Sequence, residues 1–522
     1  MASASHHAMV KATGFTDAWT GFANARKNWA YRQDQLPSTH PIAADNYDLE
    51  AVEVNFDGIT YAKGASTLKQ LVAWVGEDEF LEGLQAYFKK HQFANSELSN
   101  LLEALEAASG RELSDWADEW LRTSGVNTLT PAFETRPDGA FTSFAVVQTA
   151  HPEFPTLRRH RIGIGLYDVV EGRLVRRTSV ETDVVGERTE VSDLIGERRP
   201  DLVLLNDGDL TYAKIRLDER SLQTLVDRID TLDDSLARAL CWGAAWDMTR
   251  DAEMSTTDFT ALVLRGIGTE SDLTAVGALL RYAETAIDTY SAPAHRAALR
   301  DRWERGLSQL VDRAEPGSDH QLAFVRAFAS AAHGAEALDR VQGWYDGSAS
   351  LEGLSVDADL RWTLLTWLAA GGRADEAAIA EELAHDNTIS GQERAAGART
   401  VIPTAAAKEA AWEQAVVRDD VPNETQRQVA MYFQLPRQAE LLEPFVDRYL
   451  EVAESVWEKK GVQRSRVILQ FLFPRAIATQ ETLDRVNRWL STTTASPAEI
   501  RYVKEGAADL ERALAAQARD AA

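Results

Sequence analysis

The spacing of apolar residues changes twice along this chain, and each change limits what that stretch can fold into. Up to about residue 125 the spacing is helical. Leu68, Leu71, Val72 and Val75 share one face of a helix predicted over 64–75, which Gly76 is placed to end. Further helices are predicted over 79–88, 96–108 and 113–123, with Ser96 and Ser114 as N-caps. Between 126 and 216 the period falls to two. Ile162, Ile164 and Leu166 alternate with Gly163, Gly165 and Tyr167. Apolar runs at 202–205 and 210–215 flank Asn206-Asp207-Gly208-Asp209, where the Asp-Gly pair predicts a hairpin. Several short strands within roughly 90 residues predict a small antiparallel β-sandwich. From 217 onward the helical period returns and no strand is predicted. Leu222, Leu225, Val226, Ile229, Leu232, Leu236 and Leu240 form the first apolar stripe. At mean helix and connection lengths this stretch holds on the order of 15 to 18 helices. It shows no repeat of fixed length, so an irregular, solenoid-like stack of antiparallel helix pairs is expected.

The fold class is therefore multidomain and mostly α, with three regions at 1–125, 126–216 and 217–522. A chain of 522 residues is too long for one core. Apolar content of 45% and charged content of 26% exclude wholesale disorder. The net charge of −26, from 81 acidic against 55 basic side chains, excludes general binding to phosphate backbones. Cys241 is the single cysteine, so no disulfide framework exists within the chain and a cytoplasmic location is expected. Its neighbours Leu240 and Trp242 suggest a buried, structural thiol. Residues 1–10 lack a secretory pattern, and no run of 18 apolar residues is present, so no membrane partner is expected.

Motifs for the commoner hydrolytic chemistries are missing. A helical zinc site needs His at i and i+4, yet no His-Glu-x-x-His occurs. His6 and His7 are adjacent, about 100° apart on a helix. The other eight histidines have no partner at ligand spacing, and the pair His333 and Glu336 reads as a solvated turn. No Gly-x-Ser-x-Gly elbow is present, and Gly163-Ile164-Gly165 lacks the third glycine of a dinucleotide loop. Trp303, Trp344, Trp362, Trp367, Trp412, Trp457 and Trp489 read as packing residues of the helical region.

One segment does carry a chemical signature: Phe56-Asp57-Gly58-Ile59-Thr60-Tyr61-Ala62-Lys63-Gly64-Ala65. Val75-Gly76-Glu77, Phe80, Gly83-Leu84 and Tyr87-Phe88 follow it, and then Ser109-Gly110-Arg111 and Trp116 to Leu121. Gly14-Phe15, Arg32 and His40-Pro41 precede it; Leu205 to Asp209 and Trp242, Trp246, Asp247 and Met248 come later. This pattern resembles the M1 (gluzincin) family of aminopeptidases, the aminopeptidase N type, with a bacterial and actinobacterial flavour. The resemblance implies that residues 1–125 are the helical carboxy-terminal part of a thermolysin-like catalytic domain. It implies the family's β-sandwich at 126–216 and, at 217–522, a helical domain like that closing the endoplasmic-reticulum aminopeptidases. Tyr61 would be the donor that stabilises the transition state. Zinc is the cofactor of the parent family, with none expected in this chain alone. The chain would be the carboxy-terminal portion of an enzyme that removes amino-terminal residues from peptides, supplying Tyr61 and a helical roof. Its partners would be peptide substrates and the absent portion that bears the metal motif, and alone it would be inactive. From the residue itself, the preferred reading of Tyr61 is a core tyrosine with a satisfied hydroxyl, and it is the surrounding pattern that favours the donor role. A second reading of the whole chain is a catalytically dead helical scaffold or peptide-binding fragment.

Overall fold

The computed structural model describes residues 9–10, 13–14, 17–44 and 57–522. The chain divides into two compact units, Met1–Met248 with Thr269–Ala278, and Thr249–Gly268 with Leu279–Ala522. It is mostly helical with a small sheet region. All strands among the described residues fall between Thr128 and Ile215.

Among the described residues of the first unit, α1 (Ala18–Gly21) and α2 (Asn28–Gln33) are joined without a break by a π-helical stretch, Phe22–Lys27. A second π-helical turn, Ile59–Lys63, runs directly into α3 (Gly64–Val75). Gly76, at φ 99°, ends α3. Next come α4 (Glu77–His91), α5 (Leu98–Ser109) and α6 (Ser114–Leu121). The buried face of α3 is not purely apolar. Leu71, Trp74 and Val75 join a core with Phe80, Leu105, Trp116 and Trp120, but Ser66, Thr67 and Gln70 are buried beside them. Leu68 and Val72 are only half-buried. The predicted N-caps are displaced. Glu97 caps α5 through a reciprocal box with Asn100, and Ser96 instead bonds the Tyr87 hydroxyl at 2.6 Å. Ser114 is the first residue of α6, one place inside its cap, Leu113.

Among the described residues seven strands form two sheets: β1 (Thr128–Thr135), β2 (Phe141–Thr149), β3 (His160–Val170), β4 (Arg173–Val184), β5 (Arg188–Glu190), β6 (Leu202–Asp207) and β7 (Lys214–Ile215). Their orders are β5-β2-β1-β7 and β4-β3-β6. Every pair is antiparallel except β1 with β7, where Leu129 faces Ile215 in parallel. The strands are thus antiparallel, as expected, apart from that two-residue pair. The predicted hairpin at 206–209 is corrected, because β6 and β7 lie in different sheets. Asn206 (φ 57°), Gly208 (φ 84°) and Asp209 (φ 55°) take left-handed backbone that swings the chain out of the β6 ladder. The Asn206 side chain then holds both the N–H and the carbonyl of Thr211, at 2.9 and 3.1 Å. In β3 both faces are buried from Ile162 to Tyr167, so the alternation is not that of a half-solvated strand. Glycine is required on the second face. A Cβ on Gly163 would stand 2.3 Å from the Asp207 carbonyl oxygen, and one on Gly165 2.5 Å from its carboxylate.

In the second unit Pro293–Arg313 packs on Asp319–Ala331, which packs on Ala358–Ala370, and that on Ile389–Thr400. Asn423–Phe433 and Val462–Phe471 continue the series. The last helix, Pro497–Ala521, packs against Thr256–Gly266 and Ala286–Tyr290. There the buried Asp520 carboxylate accepts the N–H groups of Thr256 (3.2 Å) and Ala292 (2.8 Å). Trp303, Trp344, Trp362 and Trp412 are buried and Trp367, Trp457 and Trp489 half-buried, as packing residues should be. Cys241 is buried, which pushes its thiol far up. No described helix is long and apolar enough to cross a membrane.

Candidate functional site

Tyr61 stands on the π-helical turn Ile59–Lys63, a local feature that often accompanies functional positions. The turn starts because Asp57 satisfies its first amides. Its Oδ1 accepts from Ile59 N at 2.9 Å and Thr60 N at 3.1 Å, and its carbonyl accepts from Tyr61 N at 3.1 Å. The turn is pressed onto α2 at Gly58, where an added Cβ would lie 3.1 Å from Ala30 Cα. Ile59, Ala62 and Lys63 are buried by that approach, while Thr60 and Tyr61 face outward. Tyr61 is 48% exposed, and the neighbouring Trp29 is 40% exposed.

Behind the turn lies a layer of buried charge. Lys63 pairs with Asp34 at 2.8 Å, both fully buried, and donates to the Gly125 carbonyl at 3.0 Å. Asp34 also accepts from Thr39 Oγ1 (2.6 Å) and Gly125 N (3.0 Å). Burial pulls the Lys63 ammonium down to about 8, with Asp34 opposing the shift. The ammonium lies 5.7 Å from the Tyr212 ring, which stacks on Tyr31 at 4.6 Å. Burial drives both of these phenols well above their ordinary range. Tyr31 donates to the Ala213 carbonyl at 2.9 Å. Lys27 pairs with Asp209 in the turn after β6, and Lys69 approaches the same carboxylate at 3.8 Å. Lys69 lies 4.1 Å over the Trp19 ring, and burial lowers it to about 8. Tyr61 thus differs from its two tyrosine neighbours. They are closed structural groups, whereas it is half-exposed on a braced turn.

Among the described residues no three of His, Cys, Asp and Glu come together as a metal-holding group. His40 faces the Pro41 carbonyl and Asp57, both at 2.8 Å. Burial and Arg158 push His160 down to about 3, and it lies between Thr211 Oγ1 and Gln148 Oε1. His333 turns to Asp301 and Glu304 rather than to Glu336. His6, His7 and Phe56 lie outside the described residues. Asp34, Asp57, Lys69 and Asp209 were not singled out by the sequence as functional support. Asp57 carried a signal in its place four residues before Tyr61 in the motif, and Asp209 only as the end of the Leu205–Asp209 segment.

Residues 1–120 match the peptidase family M1 domain, and residues 202–512 match the ERAP1-like C-terminal domain. Aminopeptidase N of Streptomyces lividans is 50% identical over 529 aligned residues, which take in 100% of this chain and 62% of that protein. A probable aminopeptidase 2 of Sulfurisphaera tokodaii is 34% identical over 121 residues, 23% of this chain and 16% of that protein. A tricorn protease-interacting factor F2 of Thermoplasma volcanium is 33% identical over 123 residues, 24% of this chain and 15% of that protein. The chain therefore spans less than two thirds of the length of the Streptomyces protein.

Proposed function

Since this chain belongs to the M1 family of aminopeptidases, of the aminopeptidase N type, we propose that it takes part in hydrolysing amino-terminal residues from peptides, with Tyr61 as the donor to the tetrahedral oxyanion. The observation that carries this reading is the half-exposed Tyr61 on a turn whose inward residues are all buried. A phenol aimed at the developing oxyanion lowers the barrier because the full charge exists only near the transition state. The proposal includes the domain assignment: 1–125 closes the catalytic domain, 126–216 is a β-sandwich, and 217–522 is a helical roof.

The described residues offer no donor set for the family's zinc. We further propose that the metal ligands, His-Glu-x-x-His and the distal Glu, come from polypeptide outside these 522 residues, and that these residues without it do not hydrolyse peptides. The test is reconstitution. The chain, that polypeptide and zinc together should hydrolyse aminoacyl anilides, and the chain alone should not. In the active mixture Tyr61→Phe keeps the ring and removes the donor, so turnover should fall by about 10²–10³ with substrate affinity nearly unchanged. Wild-type turnover with lowered thermal stability would make Tyr61 a structural residue. The absence of a described donor set also favours a second reading, a peptide-binding scaffold without catalysis. Calorimetric peptide binding by the chain alone, with no activity in any mixture, would support that one.

A further inference from the structure

The position of the Tyr61 hydroxyl depends on the direction in which the turn launches the side chain. That turn hangs on one residue. Asp57 is 6% exposed, and its two acceptors, Oδ1 and the backbone carbonyl, take the amides of Ile59, Thr60 and Tyr61. Its Oδ2 lies 2.8 Å from His40 Nε2. His40 is in turn fixed at its other nitrogen, with Nδ1 2.8 Å from the Pro41 carbonyl oxygen. Both ring nitrogens face acceptors, so the imidazole plane is set from two sides. Gly58 between Asp57 and Ile59 cannot shift inward, since Ala30 Cα and N already stand 3.1 and 3.2 Å from its Cβ position. A π turn adds one residue to an ordinary helical turn, and it persists only where the surroundings impose it. Here the imposing groups are the Asp57 carboxylate at the front and the Lys63–Asp34 pair behind.

We propose that Asp57 and His40 are positioning residues for Tyr61: Asp57 holds the three amides that open the turn, and His40 holds Asp57. This rests on the reading of Tyr61 as the oxyanion donor. A displacement of about 1 Å at a reacting centre costs up to about 10²-fold in rate. In the zinc-loaded complex of the chain with the metal-bearing polypeptide, Asp57→Ala therefore lowers kcat by about 10- to 100-fold while KM stays within about twofold. Asp57→Asn keeps a carbonyl acceptor for the two amides and recovers most of that loss. In a Tyr61→Phe background Asp57→Ala causes no further fall, because nothing is left for it to aim.

A second measurement needs no activity. In the 522-residue chain alone, amide hydrogen exchange at Ile59 and Thr60 speeds up in Asp57→Ala and stays slow in Asp57→Asn, with the remaining helices protected. If Asp57→Ala fails to fold, His40→Ala is taken through the same cycle and the same exchange measurement. An equal loss from Asp57→Ala in both backgrounds overturns the proposal, as does unchanged exchange at those amides. Wild-type turnover in Tyr61→Phe sinks the donor assignment and the positioning role with it. Crippled Tyr61→Phe beside unimpaired Asp57→Ala sinks only the positioning role.

Discussion

The two units bury charge in different ways. Behind the Tyr61 turn, Lys27, Lys63, Lys69 and Arg158 stand with Asp34 and Asp209 in a layer shared by the stretch from α1 to α3, the segment before β3 and the turn after β6. Arg158 spends its guanidinium on oxygens of Glu119, Asn127, Thr123 and Ser124. The second unit has an aromatic cluster of Trp412, Phe433, Phe445, Tyr449 and Phe473, bordered by the buried Lys408. Lys408 donates to the carbonyls of Thr400 (3.0 Å) and Phe433 (3.3 Å), the last residues of two helices, and burial pulls it down to about 8. One layer pairs opposite charges to fix the geometry around an exposed phenol. The other uses a cation only to close helix ends beside apolar packing. Charged pairs are costly to bury and strict about geometry, which suits a site more than a roof.

The contrast is broken most directly by deleting one charge on each side. Asp34→Ala leaves Lys63 buried without its partner and should destabilise the first unit by about 3–5 kcal/mol. Lys408→Met keeps the stem, leaves no charge behind, and should cost no more than about 2 kcal/mol. Equal losses in urea unfolding would erase the distinction.

Acid should then move the two units in opposite directions. His160 is held neutral down to about 3 when folded, against an ordinary 6.5, so the unfolded chain takes up its proton first. Its contribution is intact above pH 6.5 and declines as pH falls toward 3, at up to about 1.4 kcal/mol per unit. Glu284 in the second unit is shifted the other way, up to about 7 by burial, although Ser330 donates to it at 2.5 Å. Its folded form binds the proton first, so that contribution grows as pH falls from 7 to 4.5. Unfolding curves at pH 7 and pH 5, read by unit-specific tryptophan signals, should show the first unit weaken relative to the second. His160→Gln should remove most of the acid loss, and an unchanged difference between units would contradict both assignments.

The smallest expected effect concerns α5. Ser96→Ala should change stability by less than about 0.5 kcal/mol, because Glu97 and Asn100 carry the cap. A loss of a full cap's worth, about 1 kcal/mol, would restore Ser96 to that role.

Ser96 shows where sequence reading stops. A capping residue was visible within one position, but the choice between Ser96 and Glu97 depended on a tyrosine in the preceding helix. The helix over 64–75 and its end at Gly76 were legible because its period and terminator are local. The polar Ser66, Thr67 and Gln70 on its buried face were not; Gln70 accepts from Arg161 N at 3.2 Å, a partner 91 residues further on. The hairpin failed for the same reason. Asp207 is held by Tyr167 and Arg176, and Asp209 by Lys27, so the turn answers to residues far away in sequence. Tyr61 was legible through its motif, whereas the π turn beneath it has no periodic signature short of one extra residue. Of its braces, His40 showed only as part of the motif His40-Pro41, with nothing to tie it to the turn, and Asp34 gave no local sign at all.

The Lys27–Asp209 contact joins residues 182 positions apart. At common synthesis rates of about 5–20 residues per second, the lysine is made roughly 10–35 s before its carboxylate exists. Throughout that interval a solvated ammonium is the cheaper state, and closing so long a loop adds its own entropic delay. The early helices therefore stay open to chaperones and proteases until the last strands arrive, and the segment that bears the most exacting geometry is the one that matures late.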